Sequence, residues 1–281
     1  MTRIDIGSWQ AMARSALALN SENPGLEAGL LLAHVLDRPK AWVLAHPEAE
    51  VTPAQQGQLS LLLDRLVHGE PLPYLTGRQE FFGLLFTVSP DVLIPRPETE
   101  LLLERALEWL AAHPNQTRIA DVGTGSGCIA ISLASRLKGV TVDAVDRSFA
   151  ALRIAAHNAA QHGVSRRVRP VQADLLSALH GPYDLICANL PYVPTTTLAD
   201  LPVARYEPLQ ALDGGEDGLV YIRKLLDDSR RVTRPGSIIL LEIENRQAAA
   251  VTALVERAHP GARVRVRQDL AGHDRLVEIE I

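Results

Sequence analysis

The spacing of apolar residues changes character along the chain, and the changes divide it. Over residues 1–72 the pattern is helical throughout. Asn20-Ser21-Glu22-Asn23-Pro24 offers a turn and a helix start, after which Leu26, Gly29, Leu30, Ala33 and Leu36 keep helical spacing. Thr52 stands as an N-cap, with Pro53 at the first helical position and Gln55 in capping-box register. Leu59, Leu62, Leu63 and Leu66 supply the apolar face of that helix. This stretch predicts a small helical bundle that serves recognition or packing. Residues 73–95 behave differently: Phe81, Phe82, Leu84, Phe86 and Val88 favour strand, with Gly83 as a turn, so a β-hairpin linker is expected. Ile94-Pro95-Arg96-Pro97-Glu98-Thr99-Glu100 then opens a helix. Pro97 suits a first turn, and Glu98 and Glu100 sit where the helix dipole favours anions.

From Arg118 the period alternates. Strands over 119–122, 141–145, 168–172, 184–188 and 237–242 are interleaved with helices over 128–137, 148–162, 219–232 and 247–258. Such alternation implies a parallel sheet with helices on both faces. The last two strand-like runs, 263–268 and 275–281, are separated only by Asp269-Leu270-Ala271-Gly272-His273-Asp274, which implies a hairpin and one antiparallel strand near the C-terminal edge. The predicted organisation is a helical domain (1–72), a hairpin linker (73–95) and a Rossmann-like α/β domain (96–281).

Composition narrows the classes. The 281 residues are 47% hydrophobic and 22% charged, as expected of a globular chain able to bury a core. A net charge of −5 argues against a surface that grips nucleic acid through its phosphates. Two cysteines, Cys128 and Cys187, stand far apart in no metal-ligand spacing, and the histidines, His157 and His162 among them, form no ligand set. No metal is expected. The chain's start lacks a signal-peptide apolar region, and no apolar run is long enough to cross a bilayer. A cytoplasmic location in a reducing compartment is expected.

Two loops carry candidate chemistry. Asp121-Val122-Gly123-Thr124-Gly125-Ser126-Gly127 joins the first strand of the α/β domain to its helix, and Asp146 ends the next strand about 20 residues on, the distance at which an acid accepts from ribose hydroxyls. A dinucleotide fingerprint would place glycine where Cys128 stands. The G-x-G-x-G spacing fits S-adenosylmethionine better, with Asp121 near its ammonium, Asp174 toward the adenine amino group and Leu175 against the ring. The second loop, Asn189-Leu190-Pro191-Tyr192, follows a buried strand and is stopped at once by proline. It therefore holds an amide, a carbonyl and a tyrosine at the carboxyl end of a strand, where open α/β sheets bind ligands. Methylation of a planar nitrogen needs such a loop. The Asn189 side-chain oxygen and the Leu190 carbonyl can accept both N–H groups of the substrate nitrogen, while Pro191 fixes the turn and Tyr192 offers a flat wall.

These motifs, in this order, resemble the PrmC/HemK family. Leu93-Ile94-Pro95-Arg96-Pro97-Glu98-Thr99-Glu100 is similar to its linker-to-helix signature, Arg205-Tyr206-Glu207-Pro208-Leu209-Gln210-Ala211-Leu212 to its flap, and Asp269 to Arg275 to its closing hairpin. The departures are Leu190, where the family motif has proline, and Glu244, where it has glycine. The resemblance implies a class I methyltransferase sheet. It implies transfer of a methyl group from S-adenosylmethionine to the side-chain amide N5 of the glutamine in the Gly-Gly-Gln loop of a class 1 peptide chain release factor. It further implies a helical domain that grips the factor, a glutamine pocket lined by Phe81 or Phe82 and Pro208, and action as a monomer without stable nucleic-acid binding or membrane attachment. Two alternatives stay open at this point: a DNA adenine-N6 methyltransferase using the same loop on another planar amine, and an inactive cofactor-binding interaction module.

Overall fold

The computed structural model describes residues 4–281 and divides into two compact units, Met1–Gly77 and Arg78–Ile281. In the first, a short strand β1 (Ile4–Asp5) leads into α1 (Ile6–Leu17), with the Asp5 carboxylate accepting from the Ser8 N–H as its N-cap at 2.7 Å. Then follow α2 (Pro24–Leu36), α3 (Lys40–Ala45), strand β2 (Glu50–Val51), α4 (Pro53–Val67) and α5 (Leu72–Thr76). Both halves of the predicted capping box are made at the start of α4: Thr52 Oγ1 accepts from the Gln55 N–H, and Gln55 Oε1 accepts from the Thr52 N–H. Trp9, Leu17, Leu31, Leu32 and Leu59 are the centre of this unit's core.

Two expectations for this region need correction. It is not helical throughout, because Ile4 pairs antiparallel with Val51 and Asp5 with Glu50. A two-residue ladder is too short to leave a period-2 signal. The buried stripe of α2 is Ala28, Gly29, Leu31 and Leu32, whereas Leu26 is exposed. That helix is apolar on nearly every side, so periodicity gives no contrast by which to choose a face.

The second unit begins with a hairpin, β3 (Arg78–Phe81) and β4 (Leu84–Thr87), in full antiparallel register. Its two-residue turn, Phe82-Gly83, has φ +52° and +74°, the paired positive values of a turn whose twist matches its strands. Phe82 is a bulky residue in that region. It is held there by its N–H donating to Glu100 at 2.8 Å and its carbonyl accepting from Arg136 at 2.7 Å, with the Arg136 guanidinium over its ring. Helix α6 (Thr99–Ala112) starts two residues later than Pro97 suggests, since Arg96 to Glu98 form a turn first.

The sheet is built from β5 (Arg118–Val122), β6 (Thr141–Asp146), β7 (Val168–Gln172), β8 (Leu185–Ala188), β9 (Ile238–Glu242), β10 (Arg263–Gln268) and β11 (Asp274–Glu280). Their order is β10-β11-β9-β8-β5-β6-β7. The five strands β5 to β9 are parallel, and β11 is inserted antiparallel between β9 and β10. The expected single antiparallel strand is therefore present, second from the edge. Helices α7 (Cys128–Arg136), α8 (Phe149–Gln161), α9 (Thr195–Leu198), α10 (Val220–Ser229) and α11 (Ala248–Ala258) complete the unit.

Alternate residues of the central strands face opposite cores. Ile119, Leu185, Cys187 and Leu240 pack on the side of α6 and α7, while Ala120, Ile186, Ile239 and Leu241 pack on the side of α10 and α11. Both faces being covered, β8 and β9 are buried along their whole length. Edge strand β7 contains Pro170, which only an edge tolerates, and edge strand β10 carries Arg263, Arg265 and Arg267, charges that discourage further pairing.

Candidate active site

Chain order and sheet order part company at β5. The chain runs outward from β5 to β6 and β7, then returns to the other side of β5 as β8. The strands on either side of that return diverge at their carboxyl ends and leave a crevice there. A cleft of about 720 Å³, counted to its solvent-open mouth, lies at that edge. Val122, the last residue of β5, and Val145, the last but one of β6, line it. Gly123, Gly125, Asp146, Asp174, Leu175, Asn189, Leu190 and Pro191 line it as well, and Asp91 to Leu93 with Pro208, Gln210 and Ala211 close it over.

The glycine loop is shaped by its backbone. Gly123, Gly125 and Gly127 all have positive φ (+75°, +54° and +82°), a conformation that side chains disfavour. The Gly123 and Thr124 N–H groups both donate to the Val145 carbonyl at 2.9 Å. Asp146 holds the same loop from the next strand. One carboxylate oxygen accepts from the Gly125 N–H at 3.0 Å and the other from the Ser148 N–H at 2.9 Å, and burial raises its pKa. Each oxygen retains a lone pair for a ligand hydroxyl.

Asp121 lies just below, fully buried. Its Oδ2 accepts from Thr124 Oγ1 at 2.6 Å and from the Ala130 N–H at 3.2 Å, so it fastens the loop to the first turn of α7. Its Oδ1 has no partner among the described residues, and burial pushes its pKa up to about 6. Asp174 is exposed at the rim and pairs with Lys224. Leu175 beside it has φ +50°, costly for a branched side chain, and presses its side chain to the cleft wall.

The second loop continues from β8. The Asn189 Nδ2 group donates to Thr99 Oγ1 at 2.9 Å. The Asn189 side-chain oxygen and the Leu190 carbonyl accept no hydrogen bond among the described residues. The Leu190 side chain is buried beneath the glycine loop, where a Cβ on Gly123 would meet its Cδ2 at 3.3 Å. Its isobutyl group is thus a packing element, and only its main chain is presented. The Tyr192 carbonyl accepts from Gln247 Nε2 at 3.1 Å, and burial raises the Tyr192 pKa well above the usual phenol range.

Some residues picked out by sequence lie elsewhere. Phe81 is a core residue, edge-on to Phe86 with centroids 6.2 Å apart, and neither it nor Phe82 lines the cleft. Thr124, Ser126, Gly127 and Tyr192 do not line this cleft, Tyr192 being half-buried just beyond Pro191. Arg96 pairs with the buried Glu207, which also accepts from the Ile94 N–H at 3.3 Å, so the segment before α6 is latched to the flap bearing Pro208. Glu244 adopts no positive φ, so the departure from glycine strains nothing. Cys128 and Cys187 are thiols whose pKa values burial raises, the former to about 12. Among the described residues no cluster of three or more His, Cys, Asp or Glu could hold a metal, and no helix is long and apolar enough to cross a membrane.

Three supporting residues surround the loop. Gln247 ties the Tyr192 and Gly218 carbonyls together, Thr99 receives the Asn189 amide, and Glu242 is buried beside both. For Glu242 the sequence signal is position: it ends β9, one residue past the Ala188–Leu241 pair, and so lies alongside Asn189.

Comparison with known proteins agrees with this architecture. Residues 8–77 match the PrmC N-terminal domain and residues 97–201 the methyltransferase small domain. The release factor glutamine methyltransferase of Moorella thermoacetica is 44% identical over 256 residues, covering 90% of each chain. That of Bordetella pertussis is 42% identical over 90% of this chain and 93% of its own, and that of Salmonella typhimurium 38% identical over 97% and 98%. Among solved structures, the catalytic domain of hMettl16 in complex with the MAT2A 3'UTR hairpin 6 aligns with a TM-score of 0.58 at 16% identity, covering 79% of this chain and 81% of that one, a likeness of fold.

Proposed function

This chain belongs to the release factor glutamine methyltransferase family, and we propose on that footing that it transfers a methyl group from S-adenosylmethionine to the side-chain amide nitrogen, N5, of the glutamine in the Gly-Gly-Gln loop of a class 1 peptide chain release factor. One observation carries this reading: two acceptors, Asn189 Oδ1 and the Leu190 carbonyl, stand open and adjacent at the floor of the cleft.

The chain's residues suit the cofactor. Gly123 and Gly125 let the main chain approach it closely, Asp146 offers lone pairs to ribose hydroxyls, and Val145, Ala173 and Leu175 give apolar surface for a base. Asp121 Oδ1, buried and unpartnered among the described residues, supplies the negative charge that an ammonium group would satisfy. When bound, S-adenosylmethionine supplies a sulfonium-activated methyl group. Gly127→Ala tests the loop, because a Cβ there would sit 2.8 Å from Ile131 Cδ1 and 3.2 Å from Ala155 Cβ at a φ of +82°. We expect cofactor affinity, measured by titration calorimetry, to fall about tenfold or more.

A carboxamide nitrogen is a poor nucleophile because its lone pair is delocalised into the carbonyl. Asn189 Oδ1 and the Leu190 carbonyl accept its two N–H groups, fix the plane of the amide, and stabilise positive charge as it builds on nitrogen. No base is needed beforehand, because the nitrogen becomes acidic only once methylated. The Leu190 carbonyl serves as a proline carbonyl would. Tyr192 is the flat neighbour on the substrate side, Pro208 borders the glutamine, and the helical unit holds the factor. The enzyme acts as a monomer in the cytoplasm, where translation terminates, without stable nucleic-acid binding.

Incubation with methyl-labelled cofactor and two competing acceptors, a purified release factor and duplex DNA, tests this. Label is expected in the release factor alone. Label in DNA instead would overturn the reading in favour of an adenine methyltransferase.

A further inference from the structure

Glu242 is 3% exposed, and its Oε2 has no hydrogen-bond partner among the described residues. It ends β9 in register with the start of the Asn189 loop, and the side chains of Thr99 and Asn189, themselves hydrogen-bonded at 2.9 Å, lie beside it. A buried acid without a close cation is costly, and folds keep such groups rarely. We propose that Glu242, acting through Thr99, is a positioning residue that fixes which way the Asn189 amide faces. This rests on the role given to Asn189 above.

Hydrogen-bond polarity carries the inference. An ionised carboxylate only accepts, so both neighbours must donate toward it. With the Thr99 hydroxyl proton turned to Glu242, the Thr99 oxygen is left to accept from Asn189 Nδ2, as its 2.9 Å contact requires. The Asn189 NH2 group is thereby held inward and its oxygen outward, toward the substrate N–H. A carboxamide at position 242 removes this constraint, because its own NH2 can donate. The Thr99 hydroxyl can then point its proton at Asn189, and the amide can turn over, setting donor against donor at the substrate.

The groups facing Glu242 are Glu98 and Thr99 at the start of α6, Cys128 on α7, Asn189 and Tyr192 of the loop, and Arg275 on β11. Burial outweighs the favourable ones and pushes its pKa up to about 7 from 4.5. A carboxyl whose folded pKa is raised contributes stability that is complete below about 4.5 and lost as pH rises through about 7. The isosteric Glu242→Gln should therefore match the wild type in thermal stability near pH 4.5 and exceed it near pH 8.

The test is a cycle of wild type, E242Q, N189D and N189D/E242Q, with kcat, KM for the release factor and cofactor affinity measured near pH 8, and melting temperatures alongside. In the wild-type background E242Q should lower kcat about tenfold with KM and cofactor affinity unchanged, although the protein is no less stable. In the N189D background the sign reverses. The carboxylate that N189D introduces opposes Glu242 charge to charge and needs a donor behind it, so E242Q should raise kcat about fivefold or more. An unchanged kcat for E242Q in the wild-type background would overturn the proposal, as would the absence of any gain over N189D. Failure of the wild type itself to methylate a release factor would instead overturn the function proposed above.

Discussion

Asn189→Ala is expected to lower kcat by about 10²–10³-fold, the cost of removing one preorganised charge-stabilising group. The substitution deletes the side-chain acceptor and leaves the Leu190 carbonyl in place, so one N–H of the substrate amide loses its partner as charge develops. The glycine loop is held by Val145 and Asp146, not by Asn189. Cofactor affinity should therefore stay nearly unchanged, and the loss should fall on turnover. Equal losses in cofactor affinity and turnover would show that Asn189 holds the cofactor rather than the acceptor. Leu190→Pro should by contrast preserve most activity, since it keeps the carbonyl.

Gly218→Ala is expected to be as damaging by a different route. Gly218 has φ +73°, and a Cβ there would lie 2.3 Å from the Tyr192 carbonyl oxygen and 2.9 Å from Gln247 Nε2. The first contact is with backbone and cannot be relieved cheaply, and the second displaces the Gln247 amide. Either the 213–218 turn or the Tyr192 main chain must move, breaking the Gln247 bonds that tie them together. Overpacking and the disfavoured φ together cost about 3 kcal/mol, and displacement of the acceptor loop by about 1 Å costs about 10²-fold in kcat. Calorimetric unfolding and steady-state kinetics read the two effects separately.

What could be read from the residues, and what could not, follows from where the information lies. The capping box at Thr52, the turn at Gly83 and the loop Gly123 to Gly127 are local: each needs a residue type that a particular backbone conformation demands, and each is found as expected, whereas Phe82, expected in strand, shares the turn with Gly83. The alternation of strand and helix, with a closing hairpin, was enough for a mostly parallel sheet with β11 reversed. Spacing failed where contrast was missing. The apolar α2 hides its buried face, and the β1–β2 ladder is too short to alternate. It failed also where partners are distant in sequence. Nothing near Glu242 or Gln247 marks them, and the signature that contains Thr99 gives it no role, because their meaning comes from strand register and from loops folded back across the sheet edge. Phe81 illustrates the reverse case. An aromatic in a linker invites a pocket role, yet the structure buries it against Phe86.

Leu190 joins the two kinds of information. As a departure from proline it draws attention to the side chain. The structure buries that side chain under Gly123 and leaves the carbonyl open beside Asn189 Oδ1. Rigidity that proline would give is supplied by packing below and by Pro191 after it.

The most direct test is to locate the methyl group. Release factor treated with the enzyme and S-adenosylmethionine, then digested and sequenced by fragmentation mass spectrometry, should carry one methyl group on the side-chain amide of the Gly-Gly-Gln glutamine. Asn189→Ala enzyme should leave that residue almost unmodified over the same time. A methyl group on another residue, or on the glutamine at an undiminished rate with Asn189→Ala, would contradict the account.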